Sequence, residues 1–88
     1  MKFAYHFELQ PIAGMYVAVA TGKNADKFSG VIRLNESGAK IFELLQQGHS
    51  ADGTVSEMLK IYSAPEADIR ADVDKIVNML VEKGLATI

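Results

Sequence analysis

The sequence predicts an α+β domain in which a three-stranded antiparallel sheet at the N-terminus is followed by three helices. Three observations predict it. Apolar residues alternate at period two over the first third of the chain and recur at helical spacing over the rest. Pro11, Gly14, Gly22, Gly48, Gly53 and Gly84 fall between these segments or at their ends. The 88 residues are 49% apolar with an ordinary charged fraction of 23%, enough for one modest core and too apolar for wholesale disorder.

The first strand is expected over about residues 3–9, where Phe3, Tyr5, Phe7 and Leu9 alternate with Ala4, His6 and Glu8. Gln10 to Gly14 reads as a turn, because Pro11 cannot donate to a ladder and Gly14 tolerates positive φ. A second strand follows over 15–21, with Met15, Val17 and Val19 on one face. Polar residues 22–27 form a loop, and a third strand is expected over 28–34. There Phe28, Ile32 and Leu34 face one way, and Val31 and Arg33 the other. Consecutive strands with short links most simply make a meander, which leaves the third strand at an edge.

Helix one is expected over 36–47, capped by Asn35, carrying Ile41, Phe42 and Leu45 on its buried stripe and ending at Gly48. After a polar link, Thr54-Val55-Ser56-Glu57 reads as a capping box that opens a short second helix over 55–63. Its stripe is Val55, Met58, Leu59 and Tyr62. Pro65 suits the first turn of a third helix over 65–83 with the stripe Ile69, Val73, Ile76, Val77 and Leu80. Met79 and Val81 lie off that stripe on opposite flanks, Met79 beside Ile76, Asp72 and Lys83. Gly84 ends the helix, and Leu85 and Ile88 are expected to reach back to the core.

Little in the chain points to catalysis. It has no cysteine, which excludes disulfides, thiolate metal sites and cysteine nucleophiles, and fits a reducing compartment. His6 and His49 have no His, Asp or Glu partner at ligand spacing. The serines lack a nucleophile-elbow context, and Gly22-Lys23 lacks the earlier glycine of a phosphate loop. No apolar run approaches a membrane span and no signal segment is recognisable, so the expected location is the cytoplasm.

Two binding readings compete. Three helices beside a small sheet suggest a winged helix, hence a small DNA-binding regulator. A recognition helix, however, presents cations and amides outward. The third helix carries Glu66, Asp68, Asp72, Asp74 and Glu82 against Arg70, Lys75 and Lys83. The remaining cations are scattered in sequence and the net charge is −2, so no nucleic-acid partner is expected. The other reading rests on the edge strand. Its unpaired main-chain groups can bind an extended peptide, which Gly30 would let approach closely and Val31 would contact. Against that, Arg33 can simply guard the edge by charge, and Val31 can pack on a neighbour. Met79 or Val81 could wall a groove beside that edge, or form core periphery or a dimer contact.

The order of strand, capped helix, short helix and long helix carries a set of matching residues. These are Leu34-Asn35-Glu36-Ser37-Gly38, Leu44-Leu45, Asp72-Val73, and Leu80 with Glu82-Lys83-Gly84-Leu85. From Val17 to the C-terminus this resembles the PqqD-like family of winged-helix peptide-binding modules, also called RiPP recognition elements. The chain departs from the family pattern in a longer link, Gln47 to Gly53. The resemblance implies a non-catalytic peptide chaperone without cofactors of its own. It would hold a precursor's leader as an added strand on the third strand, against the third helix. Carried over, the peptide-binding residues are Ser29, Gly30, Val31, Ile32, Arg33 and Leu34 with Asp72, Ile76 and Met79. The implied partner is a peptide-modifying enzyme of the radical S-adenosylmethionine, iron–sulfur type, and this chain would be of the free-standing kind. The same edge can pair with a second copy, and such a homodimer would compete with peptide.

Overall fold

The computed structural model describes residues 1–22 and 31–88. Its elements run β1 (Lys2–Phe3), β2 (His6–Ile12), β3 (Met15–Thr21), β4 (Ile32–Leu34), α1 (Glu36–Gln46), α2 (Ala51–Ile61), α3 (Glu66–Glu82) and β5 (Ala86–Thr87). Strands β2, β3 and β4 form an antiparallel sheet in that order, followed by the three helices as expected, a winged-helix-like α+β arrangement.

The expected first strand is two strands. Lys2 and Phe3 leave the main sheet to pair with Thr87 and Ala86, and the Ala4 N–H donates to the Leu85 carbonyl at 2.8 Å. This second sheet ties the two chain ends together and had no signature in the sequence. The break falls between Phe3 and His6, and it lets Phe3 reach Phe42 (ring centroids 5.6 Å) while Phe7 meets the same ring edge-on at 5.3 Å. β2 also runs further than expected. It continues through Pro11 to Ile12, which pairs with Met15 across a two-residue turn of Ala13 (φ 50°) and Gly14 (φ 80°). Positive φ at both central residues suits the twist of a hairpin.

The core lies between one face of the main sheet and the helices. Phe7 on β2, Ala18 on β3, and Ile32 and Leu34 on β4 are buried against Ile41, Phe42 and Leu45 of α1 and against Val73 and Leu80 of α3. The face of β3 toward the helices is therefore that of Tyr16, Ala18 and Ala20, not that of Met15, Val17 and Val19. Small alanines there leave room for the aromatic rings and for α1. On β4 the alternation is as expected: Ile32 and Leu34 point inward while Val31 and Arg33 are exposed. Phe28, and with it the first part of the expected third strand, lies outside the described residues.

Helix boundaries follow the caps. Asn35 accepts the Gly38 N–H at 2.8 Å and opens α1. Gly48 (φ 107°) closes it, with the His49 N–H returning to the Leu44 carbonyl. α2 begins at Ala51, four residues before its expected start. Ser50 is the N-cap, accepting the Gly53 N–H at 3.0 Å, and buried Thr54 donates to the Ser50 carbonyl at 2.8 Å. Thr54 thus sits inside the helix, and Glu57 pairs with Lys60 instead of reaching back to a cap. The link after α1 is Gln47–Ser50, shorter than the Gln47 to Gly53 that the sequence suggested. On α2, Val55 and Met58 are buried but Leu59 is exposed. Gly84 (φ 71°) ends α3 and turns Leu85 into the core, whereas Ile88 remains 96% exposed and does not return to it.

One side chain that the sequence did not single out seals the sheet. Gln46, at the end of α1, accepts the Phe7 N–H at 2.6 Å and donates to the Phe7 carbonyl at 2.9 Å. It occupies the outer side of β2 as a neighbouring strand would. Gln46→Ala is expected to cost about 2 kcal/mol, since both bonds serve groups beside a fully buried ring. A shift of the urea midpoint corresponding to less than about 0.5 kcal/mol would show that the bridge contributes nothing.

Candidate peptide groove

The Gln46–Phe7 bonds also fix which way the main-chain groups of the sheet point. Phe7 turns its N–H and C=O away from β3, so Phe7 and Ala20 form a non-hydrogen-bonded pair. By alternation Leu9–Ala18 and Pro11–Tyr16 are non-bonded pairs too, which places the proline where no donor is needed. On β3, Tyr16 and Ala18 therefore direct their polar groups to the other side, toward Leu34 and Ile32 of β4. Arg33, and Val31 by continuation, turn their N–H and C=O groups to the free side of β4. Among the described residues nothing pairs with that side. The sheet thus has one edge bridged at Phe7 by Gln46 and one edge open.

Beside the open edge runs a groove whose far wall is α3. One stretch, of 260 Å³, lies between residues 31–34 and Lys75, Ile76, Met79 and Lys83. The next, of 270 Å³, continues past Arg33 and Leu34 to the start of α1, where Asn35, Ser37 and Gly38 face Asp72. Arg33, Leu34, Lys75 and Ile76 line both, so the two stretches are one groove. From Val31 toward Leu34 the facing residues of α3 run from Lys83 back to Asp72, so helix and strand are antiparallel. Ser37 and Asp72 also border a smaller pit of 170 Å³ that reaches Met58, Tyr62 and Ile69 between the helices.

The geometry of α3 explains which flank faces the groove. Residues 72, 75, 76, 79 and 83 fall within about a 100° arc of a helix that turns 100° per residue. Val73 and Leu80 point instead into the core, and Val81 lies on the opposite flank at 40% exposure. Of the two off-stripe residues in the sequence, Met79 is the one in the groove. Ile76, expected in the core stripe, is half-buried because it forms part of the groove wall.

Of the residues singled out in the sequence, the structure brings Val31, Ile32, Arg33, Leu34, Asp72, Ile76 and Met79 together here. Ser29 and Gly30 lie outside the described residues. Sequence reasoning set Lys83 on the Met79 flank but named neither it nor Lys75 among the site residues. Their signal was available, because Lys75 precedes Met79 by four positions and Lys83 follows it by four. It was hidden by the acidic residues, which outnumber the cations on the same helix. Among the described lysines and arginines away from the groove, all but Lys2 are engaged elsewhere. Lys40 pairs with Glu43, Lys60 with Glu57, and Arg70 with Asp52 and Glu66. The hydrogen bond from Lys60 holds the Glu57 carboxyl below its ordinary range, and that to Asp52 raises the Arg70 guanidinium above its own.

The arrangement offers main-chain hydrogen bonds, an apolar wall and exposed cations, the elements of a recognition surface. Among the described residues no cluster of His, Asp or Glu could hold a metal ion, and no helix is long and apolar enough to cross a membrane.

The profile of the family described as coenzyme PQQ synthesis protein D (PqqD) matches residues 16–86. The chain is similar in fold to TbiB1, solved in complex with the TbiA(beta) leader peptide (20% identity, 98% of this chain and 94% of that one, TM-score 0.73). It is likewise similar to lasso peptide synthetase B1 complexed with the leader peptide (21% identity over all of both chains, TM-score 0.69). No curated protein sequence matches it.

Proposed function

This chain belongs to the PqqD family, and from that premise we propose that it binds the leader segment of a precursor peptide and presents the remainder to a modifying enzyme. The observation that carries this reading is the open side of β4. The main-chain groups of Val31 and Arg33 point into a groove walled by Ile76 and Met79. A peptide added there would gain hydrogen bonds along its backbone and place alternate side chains against α3. The two solved structures of similar fold support the same use, since each of those proteins is complexed with a leader peptide.

The protein contributes no bond chemistry in this scheme. It raises the effective concentration of the peptide at the enzyme and orients it. The enzyme partner is of the radical S-adenosylmethionine type, its cofactors belong to it, and the encounter takes place in the cytoplasm.

An amide chemical-shift titration of the labelled protein with a synthetic leader, taken from a short reading frame beside the gene, tests the reading. Saturable shifts along residues 31–34 and the Asp72–Met79 flank of α3 support it. Shifts confined to the outer face of the sheet, or none at millimolar peptide, count against it.

Met79→Asp separates this site from a core role. Met79 is half-buried at the groove and not in its floor of fully buried residues, so the variant should fold. Leader affinity should drop by about 10- to 100-fold, reflecting a carboxylate set against an apolar peptide side chain. Val81→Asp, on the opposite flank, should bind like the wild type. Equal losses in both variants would remove the groove from consideration.

A further inference from the structure

Resting on the peptide-binding reading, we propose that the groove selects an acidic strand: two carboxylates four residues apart, with an apolar side chain midway between them. The charges supply the first part of the argument. Among the described lysines and arginines, Lys40, Lys60 and Arg70 are ion-paired, whereas Arg33, Lys75 and Lys83 make no ion pair within the chain. Those three line one groove. The only other unpaired cation among the described side chains is Lys2, in the far sheet. Among the described lysines and arginines, therefore, the uncommitted positive charge apart from Lys2 lies beside the open strand edge. Long lysine stems can lie along the apolar wall and carry their ammonium groups to whatever occupies the groove.

The spacing supplies the second part. Lys75 and Lys83 are eight residues apart on α3, about 12 Å along the helix axis at 1.5 Å per residue. In an added strand, side chains four residues apart point the same way and lie about 13 Å apart. Carboxylates at positions i and i+4 of the peptide therefore come opposite Lys75 and Lys83. The side chain at i+2 falls between them, against Ile76 and Met79. Arg33 stands on the outer side of the same edge and faces the alternate residues. Asp72 lies one turn beyond Lys75, where the groove meets the start of α1. It disfavours a further acid at that end of the peptide.

Selection from a random 12-residue peptide library displayed on phage, with the wild type and with Lys75→Glu/Lys83→Glu as baits, tests this. Both lysines are exposed, and thermal unfolding of the double variant verifies that it folds. Wild-type binders should be enriched in Asp or Glu at i and i+4 around an apolar residue. Their affinity should fall about tenfold or more in the double variant, the effect of reversing two rim charges. Replacing their two acids by lysine should recover that loss.

Binders that shift the amides of residues 31–34 yet show no acidic bias, or bind the double variant equally well, would overturn the charge pattern and leave peptide binding standing. A library that yields no binder at this edge overturns the peptide reading and this inference with it. A short DNA duplex that displaces the acidic peptides at equal concentration would show a site for polyanions, and overturns the inference as well.

Discussion

Val31→Pro is expected to reduce leader affinity by about 100-fold while leaving the fold intact. The expectation depends on which way one amide points. By the register of β2, β3 and β4, Ile32 and Leu34 exchange hydrogen bonds with Ala18 and Tyr16, and Val31 and Arg33 face the free edge. Proline at residue 31 therefore removes a donor that no described residue uses. The side chain it replaces is 58% exposed, so little packing is lost. For an added strand the loss is larger. One main-chain hydrogen bond disappears, the peptide carbonyl that accepted it is buried without a partner, and the pyrrolidine ring occupies the space of the incoming backbone. Val31→Ala, which keeps the amide, should retain most of the affinity. Calorimetric titration of both variants with the leader decides the matter: if proline and alanine bind alike, the peptide does not extend the sheet.

Phe42→Ala should be the most damaging single change to stability, by about 3–5 kcal/mol. Phe42 is fully buried on α1 and meets Phe7 at 5.3 Å and Phe3 at 5.6 Å, both edge-on. Removing the ring takes away its own transfer free energy and opens a cavity that the small β3 residues cannot fill. It also unseats Phe3, whose position holds β1 against β5. For a chain of 88 residues with a total stability of about 5–10 kcal/mol, such a loss leaves a large part of the population unfolded near physiological temperature. Urea unfolding followed by far-ultraviolet circular dichroism measures it. A loss below about 1 kcal/mol would mean that the aromatic cluster is not the centre of the core.

The two expectations concern opposite sides of the sheet and should be nearly independent. Val31 is on the outer, open edge, and Phe42 lies beneath the core face. A Phe42 variant that still folds in the cold should keep its leader affinity, since the groove wall at Ile76 and Met79 does not involve that ring.

Much of the site was legible because its parts are local. Alternation in Val31-Ile32-Arg33-Leu34 identifies two buried and two exposed side chains, and the period of α3 places Asp72, Ile76, Met79 and Lys83 on one flank. The second helix was misplaced because Thr54-x-x-Glu57 has the pattern of a capping box, while Ser50 three residues before Gly53 forms the cap that the chain uses. Burial of Thr54 decided between them. Its hydroxyl finds a partner in the Ser50 carbonyl only when the helix starts early.

By itself the sequence determined the α+β architecture, the caps at Asn35, Gly48 and Gly84, and the edge position of the third strand. Hydrophobic period and capping chemistry act over a few residues, so they can be read from a few residues. Tertiary structure decided the rest: the β1–β5 pairing of the chain ends, the Gln46 bridge that covers β2 at Phe7, and the meeting of Arg33 with Lys75 and Lys83. Each joins groups about 40 or more positions apart. Only when burial of the core fixes where α1 and α3 lie on the sheet do such groups come within reach of a hydrogen bond or of each other's charge.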